Sequence, residues 1–244
     1  MINLINKIRT YYKLFLAVIV VIYFAIKVQL IYIFSKDKRR YWKNSTKWGT
    51  LILKVFNINV EIAGLEKLDK NTTYIFASNH QSLLDIPILF YSLQDFNYVI
   101  MYKKELEKIF LFGRNMKISP FIAVDRADPR NAMASIETTL KQMKENDCPV
   151  IFPEGTRSLD GKLANFKRGA FLLASRSKMP IVPIAIIGSS DVLPKGTLKI
   201  KTRSTVKVVF NAPVENDKDM DRNDERELMN KVHTIIKSSI EENS

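Results

Sequence analysis

Apolar positions fall into three regimes along the chain. Residues 14–26 are apolar throughout except Tyr23, and after Lys27 and Gln29 the run resumes over 30–34. Residues 38–56 instead mix Tyr41, Trp42, Trp48, Leu51, Ile52, Val55 and Phe56 with Arg39, Arg40, Lys43, Lys47 and Lys54. From Thr72 onward, short apolar runs alternate with helical patterns. The runs 73–77, 98–101, 121–124, 149–152, 181–187 and 206–210 read as strands. Segments 84–93, 131–146 and 168–177 read as helices. A last helix over 225–240 carries Leu228, Met229, Val232, Ile235 and Ile236 at helical spacing. Such alternation predicts an α/β fold with a mixed, mostly parallel sheet flanked by helices. The chain has no internal repeat and no long linker. It divides into 1–56, two N-terminal membrane-associating helices, and 57–244, one α/β domain.

The first regime sets the membrane question. Lys7, Arg9 and Lys13 precede the apolar run, an order shared with signal peptides, but no small-residue cleavage site follows. A span needs about 20 apolar residues, and a central lysine costs roughly 2.5–3.5 kcal/mol on insertion scales. Lys27 can snorkel, so a single span stays open as the alternative. Aromatics interleaved with cations over 38–56 suit an interface with anionic headgroups. Two helices embedded in one leaflet, a monotopic attachment at the cytoplasmic face of the cell membrane, is the expectation.

Composition adds a direction. Lysine plus arginine exceed aspartate plus glutamate by 38 − 25 = 13. That surplus points to an anionic partner: nucleic acid, acidic lipid or a phosphorylated substrate. The apolar N-terminus and the lack of a stacking or groove-reading motif argue against nucleic acid. The one cysteine, Cys148, precedes an apolar run and reads as a small core residue. The sequence has no His/Cys cluster, so no metal is expected.

Two clusters carry candidate chemistry. In Asn79-His80-Gln81-Ser82-Leu83-Leu84-Asp85, His80 sits at a strand-to-helix turn, while the other histidine, His233, reads as a surface residue of the last helix. Histidine is the natural general base near neutral pH, and a carboxylate fixes its tautomer. Residues five apart are about 140° apart around a helix. The pair therefore meets only if His80 precedes the first turn, as it would with Ser82 as N-cap. Ser82-x-x-Asp85 also matches a capping box, so Asp85 has a purely structural reading as well.

The second cluster, Phe152-Pro153-Glu154-Gly155-Thr156-Arg157-Ser158, begins where a strand ends, the usual place for a ligand site. An arginine can grip phosphate bidentately, so Arg157 is a candidate for that role, although by itself the cluster also reads as a surface turn with a salt-bridged arginine. Glu154, Gly155 and Thr156 shape the turn or touch substrate. Arg126 follows the 121–124 strand, and Lys103 and Lys104 follow the 98–101 strand. Lys167, in Phe166-Lys167-Arg168-Gly169, opens a helix and is a further basic candidate.

The order His-x-x-x-x-Asp, Asp125-Arg126, Phe-Pro-Glu-Gly-Thr-Arg, Phe-Lys-x-Gly and Val182-Pro183-Ile184 resembles the four signature blocks of the glycerol-phosphate and lysophosphatidic acid acyltransferases. The resemblance runs from about 79 to 187. Glu-Gly-Thr-Arg-Ser, Asp160-Gly161-Lys162 and Lys103-Lys104-Glu105-Leu106 look like the 1-acylglycerol-3-phosphate branch. The second block departs from the pattern, with Pro120 and Ala123 where a glycine and an aromatic are expected.

The resemblance implies acyl transfer from acyl-CoA or acyl carrier protein to the sn-2 hydroxyl of lysophosphatidic acid, giving phosphatidic acid. His80 would be the base and Asp85 its partner, with Arg157, Lys103 and Arg126 on the phosphate and Lys104 and Lys167 as further contacts. No cofactor is implied beyond the thioester co-substrate. A lysophospholipid or glycerol-3-phosphate acyltransferase is the alternative within this family. A non-enzymatic lipid-binding protein is the alternative outside it.

Overall fold

The computed structural model describes residues 2–35, 38–110, 112–124, 132–216 and 219–243. Helices α1 (Ile2–Phe34) and α2 (Lys38–Phe56) lead into strand β1 (Ile58–Ala63). The chain continues through β2 (Ile75–Ser78), α3 (Asp85–Ser92), β3 (Asn97–Lys103), α4 (Phe112–Ile118), β4 (Ile122–Val124) and α5 (Ala132–Gln142). It ends with β5 (Asp147–Ile151), α6 (Arg168–Ser177), β6 (Ile181–Ile187), α7 (Ser189–Val192), β7 (Ser204–Phe210) and α8 (Arg222–Asn243).

Among the described residues, seven strands form one sheet in the order β1-β7-β6-β2-β5-β3-β4. Only the β6–β7 pair is antiparallel. The mixed, mostly parallel sheet expected from the alternation of runs is the one found. Period-two alternation then assigns each strand residue to a face. Phe76, Val150, Val182 and Ile184 pack on the side of α2 and α3, while Ile75, Ala77, Ile151 and Ala185 pack on the side of α6 and α8. Cys148 is buried in the first layer, and burial pushes its thiol up to about 11, as befits a core residue.

Strand β1 was not foreseen. Its Ile58, Val60 and Ile62 alternate with Asn59, Glu61 and Ala63, and it lies at the sheet edge in parallel register with β7. Asn57, at φ 54°, turns the chain out of α2 directly into it, so no loop composition separates helix from strand. Helix α4 was likewise missed; its seven residues are too few for a helical period to stand out. His233, expected on the surface, is half-buried. Its ring packs edge-on against Phe166 with centroids 4.7 Å apart, and its Nε2 is buried.

Among the described residues, one helix is long and apolar enough to cross a membrane, over Lys7–Phe34. Its outer face leaves Phe15, Ile19, Ile22, Ile26, Leu30 and Ile33 exposed, whereas Phe24, Ala25 and Val28 face the protein. Lys27, which interrupts the apolar run, places Nζ 5.7 Å and 5.6 Å from the ring centroids of Tyr23 and Phe24. These aromatic faces lower the penalty of a cation on an apolar helix. Val28, Tyr41, Ile52, Leu53 and Phe56 belong to the same buried cluster as the sheet residues Phe76 and Val150. The two helices are therefore packed on the sheet's own core.

The contact between α2 and α3 depends on Gly49. A Cβ there would stand 2.7 Å from the Pro87 carbonyl oxygen and 3.1 Å from Phe90 Cβ. Helix propensity alone would make Gly49→Ala stabilising by up to about 1 kcal/mol. Overpacking against a rigid backbone oxygen outweighs that gain, so Gly49→Ala is expected to lose about 1–3 kcal/mol. Thermal unfolding in detergent checks the sign; an unchanged or raised midpoint would mean that α2 stands off α3.

Candidate active site

Strands β2, β5 and β3 run parallel, so their carboxyl ends share one edge of the sheet. The loop after β2 carries His80, the loop after β5 carries Glu154 to Arg157, and β3 ends at Lys103. Ligands bind at such edges because the loops there are free to vary while the strands fix their origins.

The loop after β2 is held on both sides. Asn79 is fully buried, donates Nδ2 to the Ile186 carbonyl (2.8 Å) and accepts the Ile186 N–H (2.8 Å). This side chain extends the sheet ladder where the strand itself stops. Beyond it, the His80 N–H donates to Glu154 Oε1 (2.7 Å), and the His80 carbonyl accepts the Ser158 N–H (2.9 Å). The backbone of His80 is thus clamped by the neighbouring loop.

The ring is clamped as well. Nδ1 of His80 lies 2.8 Å from Asp85 Oδ2, and that oxygen also accepts the N–H groups of Gln81 (2.7 Å) and Ser82 (2.9 Å). Asp85 thereby fills both roles its sequence position allowed: it pairs with the histidine and it caps its own turn. Ser82 is not the helix N-cap, which corrects the expectation. The helix starts at Asp85 with Leu84 before it, and the Ser82 hydroxyl donates to the Leu193 carbonyl (2.8 Å). His80 still lies outside the helix, which is the condition the pairing needed.

For a neutral imidazole beside an ionised carboxylate, which only accepts, this contact places the proton on Nδ1 and leaves the lone pair on Nε2. His80 keeps 18% of its side chain exposed while Asp85 is sealed from solvent. Phe152 stacks on the imidazole at 4.0 Å between centroids and 22° between planes. The tautomer, the ring plane and the exposed edge are all set by the fold.

Glu154 organises the second loop. Its Oε1 takes the His80 N–H and its Oε2 takes the Ala164 N–H (2.9 Å). Burial pushes its carboxyl above the usual range, against the opposing pull of these two N–H groups. Gly155 sits at φ 73°, and a Cβ there would meet the Lys167 side chain at 3.0 Å, so Lys167 lies across this turn. Arg157 is half-buried on the same turn. Gln81 ties the two loops together, donating Nε2 to the Gly161 carbonyl and accepting the Ser190 hydroxyl (3.5 Å).

The remaining candidates separate. Lys103 lies on the same sheet edge but is paired with Glu105 at 3.1 Å, both well exposed. Lys104 is exposed at the start of the turn after β3. Arg126 lies outside the described residues. Arg168 is committed elsewhere, its Nε 2.6 Å from the buried Glu225 of α8. One cation was not anticipated: Lys195, in the turn after α7, donates Nζ to the Arg157 carbonyl (2.6 Å) and lies 3.4 Å from Thr156 Oγ1. A Pro-Lys-Gly turn beyond the last recognisable block was its only sequence signal. Asn79 and Gln81 were also missed as structural members, since nothing in a sequence says which backbone groups a buried amide will meet.

An acyltransferase family model matches residues 59–187. A chloroplastic 1-acyl-sn-glycerol-3-phosphate acyltransferase of Brassica napus is 31% identical over 207 residues, 82% of this chain and 59% of the relative. Its counterpart in Arabidopsis thaliana is 32% identical over 173 residues, 70% of this chain and 48% of the relative. The chain therefore spans between about half and three fifths of the length of these curated relatives. The crystal structure of the 1-acyl-sn-glycerophosphate (LPA) acyltransferase PlsC from Thermotoga maritima superposes with a TM-score of 0.82 at 26% identity, covering 99% of this chain and 97% of that one. With the matched segment spanning every strand from β2 to β6 and both loops that hold His80, this chain belongs to the acyltransferase family.

Proposed function

We propose that the chain transfers a fatty acyl group from an acyl thioester, acyl-CoA or acyl carrier protein, to the sn-2 hydroxyl of lysophosphatidic acid, giving phosphatidic acid. The observation that carries the reading is the 2.8 Å contact between His80 Nδ1 and Asp85 Oδ2, on a side chain that keeps 18% of its surface exposed. Nε2 takes the proton of the sn-2 hydroxyl as that oxygen attacks the thioester carbonyl. The tetrahedral adduct collapses, the C–S bond breaks, and the imidazolium returns the proton to the leaving sulfur. Asp85 holds the tautomer and offsets the imidazolium charge between these steps. Alcohol and thioester react directly once aligned, so the reading needs no covalent enzyme intermediate, no cofactor and no metal.

Arg157 holds the substrate phosphate, with its backbone fixed by the loop that clamps His80. An apolar cavity of about 190 Å³ supports an acyl-chain site. It is lined by Val28, Tyr41, Trp48, Phe90 and Phe121, and its wall includes Ile86, the neighbour of Asp85. The exposed apolar face of α1 and the cations of α2 support attachment at an anionic leaflet, the cytoplasmic face of the cell membrane, where a lysolipid would be met without leaving the bilayer.

The direct test is acyl transfer to detergent-dispersed lysophosphatidic acid. His80→Ala is expected to lower kcat by about 10²–10⁴-fold while lysolipid binding persists. Unchanged turnover would remove His80 from the chemistry. Asp85→Asn keeps the shape but replaces an acceptor with a group able to present the wrong tautomer, and is expected to reduce kcat more than KM. Arg157→Met is expected to raise KM for lysophosphatidic acid by roughly tenfold or more, the worth of a charge-assisted contact. A panel with glycerol 3-phosphate and lysophospholipid acceptors fixes the substrate. Binding without turnover on any of them would favour a lipid-binding protein instead.

A further inference from the structure

One lysine at the edge of the site has a geometry unlike the other surface cations. Lys195 is half-buried, and its Nζ donates to the carbonyl oxygen of Arg157 at 2.6 Å and sits 3.4 Å from Thr156 Oγ1. No carboxylate among the described residues forms an ion pair with it. Its own turn is fixed by the Thr197 N–H to the Pro194 carbonyl (3.3 Å) and the Lys201 N–H to the Val192 carbonyl (2.8 Å). An ammonium has three N–H donors. The Arg157 carbonyl and the Thr156 hydroxyl take two, leaving one for an anion at the same turn.

The charge balance gives that anion a class. A phosphomonoester carries close to two negative charges near neutral pH, because its second pKa is about 6. Arg157 neutralises one. Lys103 is already paired with Glu105, and Lys167 lies exposed across Gly155 at the start of the turn. Lys195 is the cation whose position is set by a bond to the very residue that carries the guanidinium. A fixed donor loses less entropy on meeting a ligand than a free lysine does.

We propose that Lys195 is the second cation of the phosphate site and sets a preference for phosphomonoester acceptors over singly charged phosphodiester ones. This rests on the reading of Arg157 as the phosphate-binding residue. A phosphodiester headgroup offers one charge and fewer terminal oxygens, so it gains little from Lys195. The monoester gains a second charge-assisted contact.

The experiment compares wild type with Lys195→Gln, Lys195→Met and Lys195→Arg. Lysophosphatidic acid is the monoester probe and lysophosphatidylglycerol the diester probe, both in detergent micelles. Each is measured by turnover and by equilibrium binding. Gln keeps a donor for the Arg157 carbonyl and removes the charge, so it separates the two jobs of the side chain. Lys195→Gln is expected to raise KM and Kd for the monoester roughly tenfold, with kcat within about twofold. Diester values should be unchanged, and Lys195→Arg should restore the monoester values.

Equal losses for both acceptors, a fall confined to kcat, or a Lys195→Gln protein that matches wild type would overturn the proposal. So would failure of both neutral variants to fold, since Lys195 would then be a structural clamp. Wild type that binds lysophosphatidic acid but does not acylate it would instead refute the transfer reaction, while the binding comparison still decides the role of Lys195.

Discussion

A histidine five residues ahead of its carboxylate cannot face it along a helix, so the segment between must fold back on itself. Everything around this site serves that constraint. Asp85 Oδ2 gathers the N–H groups of Gln81 and Ser82 as well as His80 Nδ1, which curls the loop around a single oxygen. Glu154 secures the other side by taking the N–H of His80 with one oxygen and that of Ala164 with the other. A buried carboxylate is tolerated when donors meet it: both Glu154 oxygens take backbone N–H groups, whereas Asp85 gathers its three partners on Oδ2 and leaves the buried Oδ1 without one. The His80 ring and backbone are therefore positioned by two buried carboxyl groups whose partners come from both loops.

The same constraint ties the N-terminal helices to the chemistry. Asp85 is the first residue of α3, and α3 packs against α2 closely enough that only glycine fits at position 49. Phe90 of α3 stacks on Tyr98 of β3 and meets Trp48 of α2 edge-on. Trp42 of α2 in turn donates Nε1 to the Tyr98 carbonyl (2.9 Å). The lipid-facing layer, the helix that presents Asp85 and the sheet thus form one packed body. The distance between the exposed apolar face of α1 and His80 is set by side-chain packing, with no linker in between.

Much of this was legible in the sequence because it rests on local periodicity. The six apolar runs after Thr72 are all strands, and 168–177 and Lys38–Phe56 match their helices. The unread elements are those whose pattern is short or adjoins another without a break: β1 directly behind Asn57, and the seven residues of α4. Within the site, residue types announced His80, Asp85 and Arg157, since each has a chemistry of its own. What they could not announce was which backbone group a side chain would meet. Asn79 on Ile186, Glu154 on His80, Lys195 on Arg157 and His233 against Phe166 are all pairings between segments distant in the chain. Charge counting was similarly blind to position: it does not say that Arg168 is paired with Glu225 and Lys178 with Asp219, nor where the unpaired cations lie.

The stacking of Phe152 on His80 bears on the hardest selectivity such a site faces. A thioester exposed to an activated water would be hydrolysed, and water is far more abundant than any lysolipid hydroxyl. One face of the imidazole is covered by Phe152, Nδ1 is taken by Asp85, and only a minor part of the side chain meets solvent. The apolar cavity begins at Ile86, one residue beyond the carboxylate. On the proposed function, a lysolipid that filled this cavity and set its phosphate on Arg157 would cover the remaining edge with its own hydroxyl. Water has neither anchor and must enter against an apolar wall. On that proposal the base would become useful only when the acceptor is in place, and binding energy from the chain and the phosphate would direct the proton transfer to the lipid.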